Sequence, residues 1–153
     1  MPLLDATFRD SNGQTDKAPL LQFGPSIQVV VGHYSPLGAA MATPPQTETT
    51  WALVDTGAAE SCIDSALAKK LGLPVIDTML ISGSHGTHPH DVYLAHINIL
   101  GLEFTQFGRF AGVHLATGQQ AHGVLLGRTF LGNVMLIYDG LRGQITLSAA
   151  RIL

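Results

Sequence analysis

The sequence predicts an all-β domain with two short helices, and three observations carry that prediction. Apolar, β-branched runs of strand length recur along the chain and are bounded by glycine, proline or polar turn residues. Two pairs of these runs flank glycine-containing turns, as antiparallel hairpins do. Only two stretches carry helix signals, one with a capping Asp64 and a Gly72–Pro74 stop, the other a short segment at Thr129-Phe130-Leu131. At 153 residues the chain can bury a sizeable core, and 46% hydrophobic against 12% charged residues gives a sticky surface that association would cover.

Taken in order, residues 1–22 are polar and contain the Asn12-Gly13 turn signal, so they read as a tail or loose hairpin, the least ordered part, ahead of a folded domain at 23–153. Residues 27–32 lie between Pro25 and Gly32 and form a strand, whereas 35–47, rich in Pro, Ala and Thr, are a long surface loop. Residues 49–55 form the next strand. Asp64 caps a helix through Leu71 with Lys69 and Lys70 in its last turn, where cations complement the helix dipole. Residues 75–81 and 91–100 are the arms of a hairpin around Ser82-Gly83-Ser84-His85-Gly86-Thr87. Residues 103–115 supply one or two strands, and 134–138 with 144–147 form a hairpin over Gly140-Leu141-Arg142-Gly143. The two units in which an apolar run meets a glycine turn, around Asp55 and Gly127, read as related halves of one core.

The chemistry centres on Asp55. Ala52, Leu53 and Val54 deliver a carboxylate from an apolar strand straight into Asp55-Thr56-Gly57, and a charge beside apolar surroundings calls for a partner, a hydrogen-bond network or a shared proton. Thr56 supplies a hydroxyl and Gly57 lets the backbone turn closely under the carboxylate. Far downstream a second apolar run, Val124-Leu125-Leu126, enters Gly127-Arg128.

These paired motifs, Leu53 to Ala58 and Leu125 to Arg128 in that order with a hairpin between them, resemble the retropepsin-like aspartic proteases, specifically the single-domain bacterial members. The resemblance spans about residues 23 to 149. It implies an acid-protease barrel in which Asp55 is catalytic, Thr56, Gly57, Ala58 and Arg128 support it, and Ser82, Gly83, Ser84, His85 and Gly86 form a flap that closes over an extended peptide. Viral members carry acidic residues just after D-T-G-A that pair with the arginine, whereas this chain has Ala59 and then Glu60, so Arg128 pairs with Glu60, with Asp64, or with neither.

Hydrolysis of a peptide bond by carboxylates needs one ionised group to take a proton from water and one protonated group to polarise the carbonyl. No second D-T-G or D-S-G occurs in the chain, so two identical chains must each bring an Asp55 to a two-fold axis. The resemblance also implies that the terminal segments, particularly residues 144–153, help form the interface sheet. The alternatives are a catalytically silent member of the fold serving as a dimerisation or peptide-binding module and, more distantly, a small-ligand-binding barrel.

Other residues read as structural. Asp139-Gly140 is a hairpin turn, and the remaining aspartates sit in tails, caps or strand ends. His85, His88, His90 and His96 are the one metal-like group, but Pro89 would interrupt the strand between His88 and His90 and no Cys or carboxylate completes a zinc set, so neither metal nor cofactor is expected. Cys62 lacks a local base and reads as a core residue, and Trp51, Phe104, Phe107, Phe110 and Phe130 read as core or dimer contacts. A net charge of -3 with no basic run argues against nucleic acid and an anionic membrane surface. The single cysteine and the absence of a signal-like start make a reducing cytoplasm the expected setting.

Overall fold

The computed structural model describes residues 2–33, 46–83 and 86–149. In chain order these hold β1 (Leu3–Asp5), α1 (Lys17–Phe23), β2 (Ser26–His33), β3 (Thr47–Val54), β4 (Cys62–Asp64), α2 (Ser65–Lys70), β5 (Val75–Gly83), β6 (Gly86–Ile99), β7 (Phe104–Val113), β8 (Val124–Leu126), α3 (Arg128–Leu131), β9 (Met135–Asp139) and β10 (Gln144–Ser148). Strands β2, β3, β8, β4, β7 and β6 neighbour one another in that order, and pairing of β2 with β6 closes them into a six-stranded barrel. Closure leaves none of the six with an open hydrogen-bonding edge along its paired length. The expected all-β barrel is thus present.

Alternation along the strands builds the core. Tyr93, Ala95, Ile97 and Ile99 of β6 point inward and are at most 1% exposed, with Val29 and Val31 of β2, Phe110 of β7 and Phe130 of α3 packed into the same cluster. Each of these valine, isoleucine and phenylalanine side chains contributes about 1.5–3 kcal/mol by leaving water, so this cluster outweighs any surface ion pair here, which contributes about 0–1 kcal/mol.

Two sets of strands leave the barrel. β5 pairs with residues 86–93 of β6, and the part over 86–91, which meets no other strand, is a protruding two-stranded ribbon with Gly83 opposite Gly86 at its tip. β5 is exposed or half-exposed throughout, and the Val75/Asp77 irregularity bends its base. Separately, β1, β10 and β9 form a three-stranded antiparallel sheet. Leu4, Leu147 and Leu136 line its core face, whereas Leu3, Met135 and Ile137 stand on the other.

The structure departs from several of these expectations. Residues 1–22 are no loose tail: β1 adds to the β10 edge, and Asp16 caps α1 by accepting from Ala18 N. The polarity of the segment hid this, because Leu4, Phe8 and Leu20 bring enough apolar surface to dock a short strand and a seven-residue helix. The Asn12-Gly13 turn does form, with Gly13 at φ +76° and Asp10 Oδ1 accepting from Asn12 N and Gln14 N. The described residues therefore hold three helices where two were expected. Pro89 does not interrupt β6, for it lies opposite Leu80 on a stretch whose other side meets no strand, where a missing N–H costs nothing. β10 is the central strand of its sheet, flanked by β1 and β9. Residues 103–115 give one strand, β7, and β4 was not foreseen. The loop expected at 35–47 lies largely outside the described residues.

Candidate active site

The barrel brings the two apolar runs side by side. β3 and β8 are parallel neighbours, Ala52 opposite Val124 and Val54 opposite Leu126, so both chains emerge at the same end, one into Asp55 and the other into Gly127. Asp55 N donates to Leu126 O at 3.0 Å, which extends the ladder one step and anchors the aspartate at the strand end. The carboxylate then turns on itself: Gly57 N donates to Asp55 Oδ1 at 2.8 Å and Ala58 N to Asp55 O at 3.3 Å. This turn leaves Thr56 and Gly57 exposed and Asp55 half-buried.

The Gly127 end fixes the other side of the loop. Arg128 N donates to Ala58 O at 2.9 Å and Thr129 N to Ala59 O at 3.2 Å, so the first amides of α3 hold the carbonyls of the Asp55 loop. Gly127 N donates to Ser61 Oγ, and Ser61 N donates to Thr129 Oγ1, a reciprocal clasp between the two halves. Gly127 has to be glycine for space: a Cβ there would lie 2.5 Å from Glu60 O. The Arg128 side chain crosses back, its Nη1 donating at 3.0 Å to both Thr56 O and Gly57 O. It forms no ion pair with Glu60 or Asp64 among the described residues, which answers the question left by the Ala59-Glu60 departure. Asp64 is committed elsewhere: 4% exposed, it caps α2 through Leu67 N and accepts from Leu115 N and Ala116 N.

Thus Asp55, Thr56, Gly57, Ala58 and Arg128 come together as one unit. Ser82, Gly83 and Gly86 sit at the ribbon tip, where Ser82 Oγ and Thr87 Oγ1 lie 2.8 Å apart across the strands. Ser84 and His85 lie outside the described residues. Cys62 is buried beside the site and its thiol is pushed up to about 11, first by burial and then by the charges of Glu60 and Asp55. A thiol that stays protonated at neutral pH is a poor nucleophile. Among the described residues no cluster of His, Cys, Asp and Glu is arranged to hold a metal ion. His90 Nδ1 is 2.7 Å from Gly112 O, and His96 Nδ1 is 2.5 Å from His33 O.

Sequence reasoning missed Ser61 and Thr129, whose hydroxyls clasp the loops, and Asp64's second duty. Ser61 and Thr129 gave no local signal, since their meaning depends on β4 and α3 being neighbours in space. Asp139 does hold its turn, accepting from Arg142 N, and that hydrogen bond together with the Arg142 side chain holds its carboxyl below the usual range.

With this geometry established, comparison with known proteins is informative. A family model described as aspartyl protease matches residues 45–130, more than half of the chain. The solution structure of a simian foamy virus (mac) protease is similar, with 19% identity, 70% of this chain and 91% of that chain covered, and a TM-score of 0.45. No curated protein matches the chain.

Proposed function

The chain belongs to the aspartyl protease family, and from that premise we propose that it is an endopeptidase whose active site forms when two copies bring their Asp55 carboxylates together. The observation that carries this reading is the Asp55 turn itself, held at the end of the parallel β3/β8 pair and braced through its carbonyls by Arg128. One chain supplies one such carboxylate, and the reaction needs two states of it at once. In the dimer one Asp55 is ionised and takes a proton from the attacking water, while the other, protonated, donates to the peptide carbonyl as the tetrahedral intermediate forms. Collapse then returns a proton to the leaving nitrogen and restores the pair. Because the pair must hold one proton, the rate against pH traces a bell set by the pair as a unit.

An isologous contact through the β1-β10-β9 sheet suits the surface. Leu3 is 56% and Ile137 50% exposed on its outer face, on which Met135 also stands, and a second copy would cover these apolar side chains. The exposed ribbon of β5 and β6 serves as the flap, its main-chain groups pairing with an extended peptide. The substrate is a peptide or protein; neither nucleic acid nor a membrane takes part, and a reducing cytoplasm is the proposed setting. No helix among the described residues is long and apolar enough to cross a membrane.

The test is digestion of a peptide library at acidic and neutral pH, run beside Asp55→Ala. Cleavage by the wild type that vanishes in the variant supports the reading. Cleavage that survives in Asp55→Ala overturns it.

A further inference from the structure

Residues 55–61 form an arch that is fastened again and again to one short segment, 126–129. The strand order β3-β8-β4 places β8 between the strand that runs into Asp55 and the strand that begins at Cys62, so the arch crosses the end of β8. Its first foot is Asp55 N, which donates to Leu126 O at 3.0 Å, and its middle rests on Arg128 N and Thr129 N through the carbonyls of Ala58 and Ala59. Its second foot is Ser61, 1% exposed and one residue ahead of β4.

Side chains make the second foot. Gly127 N donates to Ser61 Oγ at 3.1 Å, Ser61 N donates to Thr129 Oγ1 at 3.0 Å, and the two hydroxyl oxygens lie 3.1 Å apart. Each oxygen takes one amide and one hydroxyl donates to the other, so the ring of three bonds closes whichever of the two gives the proton. Main-chain bonds are open to any sequence and do not by themselves select a register, whereas hydroxyls at 61 and 129 do. A slip at this foot passes along the arch, because Arg128, whose Nη1 holds Thr56 O and Gly57 O, lies between Gly127 and Thr129.

We propose that Ser61 and Thr129 are positioning residues for the reaction: their paired hydroxyls fix the arch and, through it, the distance between Asp55 and the second Asp55 of the active dimer. The kinetic consequence rests on the endopeptidase reading above, whereas the effect on the Asp55 turn is a property of one chain. Thr129→Val keeps the shape of an exposed side chain and removes the acceptor of Ser61 N, and Thr129→Ser keeps the hydroxyl. A displacement of about 1 Å costs up to about a hundredfold in rate, so kcat of Thr129→Val is expected to fall about tenfold or more with KM within about twofold, and Thr129→Ser to recover most of the loss.

A purely structural role is told apart by pH. Two carboxylates that move apart repel each other less, so the limbs of the bell approach one another, whereas a smaller folded fraction scales the whole profile and leaves both limbs in place. The charged groups of the arch and its brace, Glu60 and Arg128, are unchanged in these variants, and the Cys62 thiol beside them stays neutral. Ser61→Ala, which strips Gly127 N of its acceptor, is the second variant and answers if Thr129→Val does not fold. In both, NMR without substrate follows the Gly57 amide, which donates to Asp55 Oδ1; it is expected to shift, with Gly83 at the ribbon tip as the unmoved reference. Limbs that stay in place, or a Gly57 amide that does not shift, overturn the proposal. If the wild type shows no Asp55-dependent hydrolysis, the endopeptidase reading falls and the Gly57 amide alone decides: a shift upholds the placing of the turn by the two hydroxyls, and no shift overturns it.

Discussion

Replacing Gly127 with alanine tests the joint between the two halves of the site. The glycine φ of −83° suits any residue, so conformational strain is not the issue. Space is. The new Cβ would lie 2.5 Å from Glu60 O, 2.7 Å from Glu60 C and 2.9 Å from Ala58 O, and all three are backbone atoms that cannot rotate aside. Ordinary carbon contacts sit near 3.5 Å, so the 58–60 segment must retreat by roughly 0.5–1 Å. That retreat stretches the Arg128 N to Ala58 O and Thr129 N to Ala59 O bonds, now 2.9 and 3.2 Å. Overpacking costs about 1–3 kcal/mol, and an obstacle made of backbone puts this case near about 3 kcal/mol. For a chain of this size that corresponds to a melting temperature lower by roughly 6–12 °C. Differential scanning calorimetry at fixed protein concentration reads it, with Gly83→Ala as control because a Cβ there meets nothing within 4 Å. Hydrolysis should fall by up to about a hundredfold, since the displaced loop carries Asp55. A melting temperature within about 2 °C of wild type would refute the close-approach argument.

Arg128→Ala removes the donor to Thr56 O and Gly57 O, so kcat/KM is expected to drop by about tenfold or more while stability changes by no more than about 1 kcal/mol, the side chain being exposed; unchanged kcat/KM would remove the arginine from its positioning role. Asp64→Ala takes away the α2 cap and leaves Leu115 N and Ala116 N without their acceptor, which urea denaturation should report as a loss of about 3 kcal/mol. His122 is depressed from 6.5 by burial, so the unfolded chain binds the proton more readily: its contribution is full above 6.5 and is lost as pH falls below that value. Wild-type stability should therefore decline on acidification through that window more steeply than that of His122→Phe, and parallel declines would contradict the assignment. Asp5, Asp77 and Asp139 are each held low by hydrogen bonds, and their contributions, present above 3.8, fade only at lower pH.

The strands were readable because apolar, β-branched runs ended at glycine and proline, and Asp64, Gly72 and Pro74 marked α2 from both ends. Asp55 was readable because a carboxylate after an apolar run needs a reason to be there. The N-terminal elements were not: Leu4, Phe8 and Leu20 among polar neighbours say nothing until β10 and the barrel wall provide something to pack on. The failure at Pro89 has a related cause, since the cost of a missing N–H depends on whether a strand lies beside it, and that is a property of topology. Ser61 with Thr129, and Ser26 with His122, stand 68 and 96 residues apart, and only the closed barrel makes them pairs.

The shared-site account is tested most directly by mixing wild-type chains with Asp55→Asn chains at constant total concentration, after equilibration, and measuring peptide hydrolysis across the mixing ratio. If each active site needs an ionisable Asp55 from both copies, activity follows the square of the wild-type fraction, and an equal mixture retains about a quarter of the starting rate. A straight line, with about half the rate at equal mixing, would mean that a single chain supplies the whole catalytic apparatus, and would contradict the dyad proposed here.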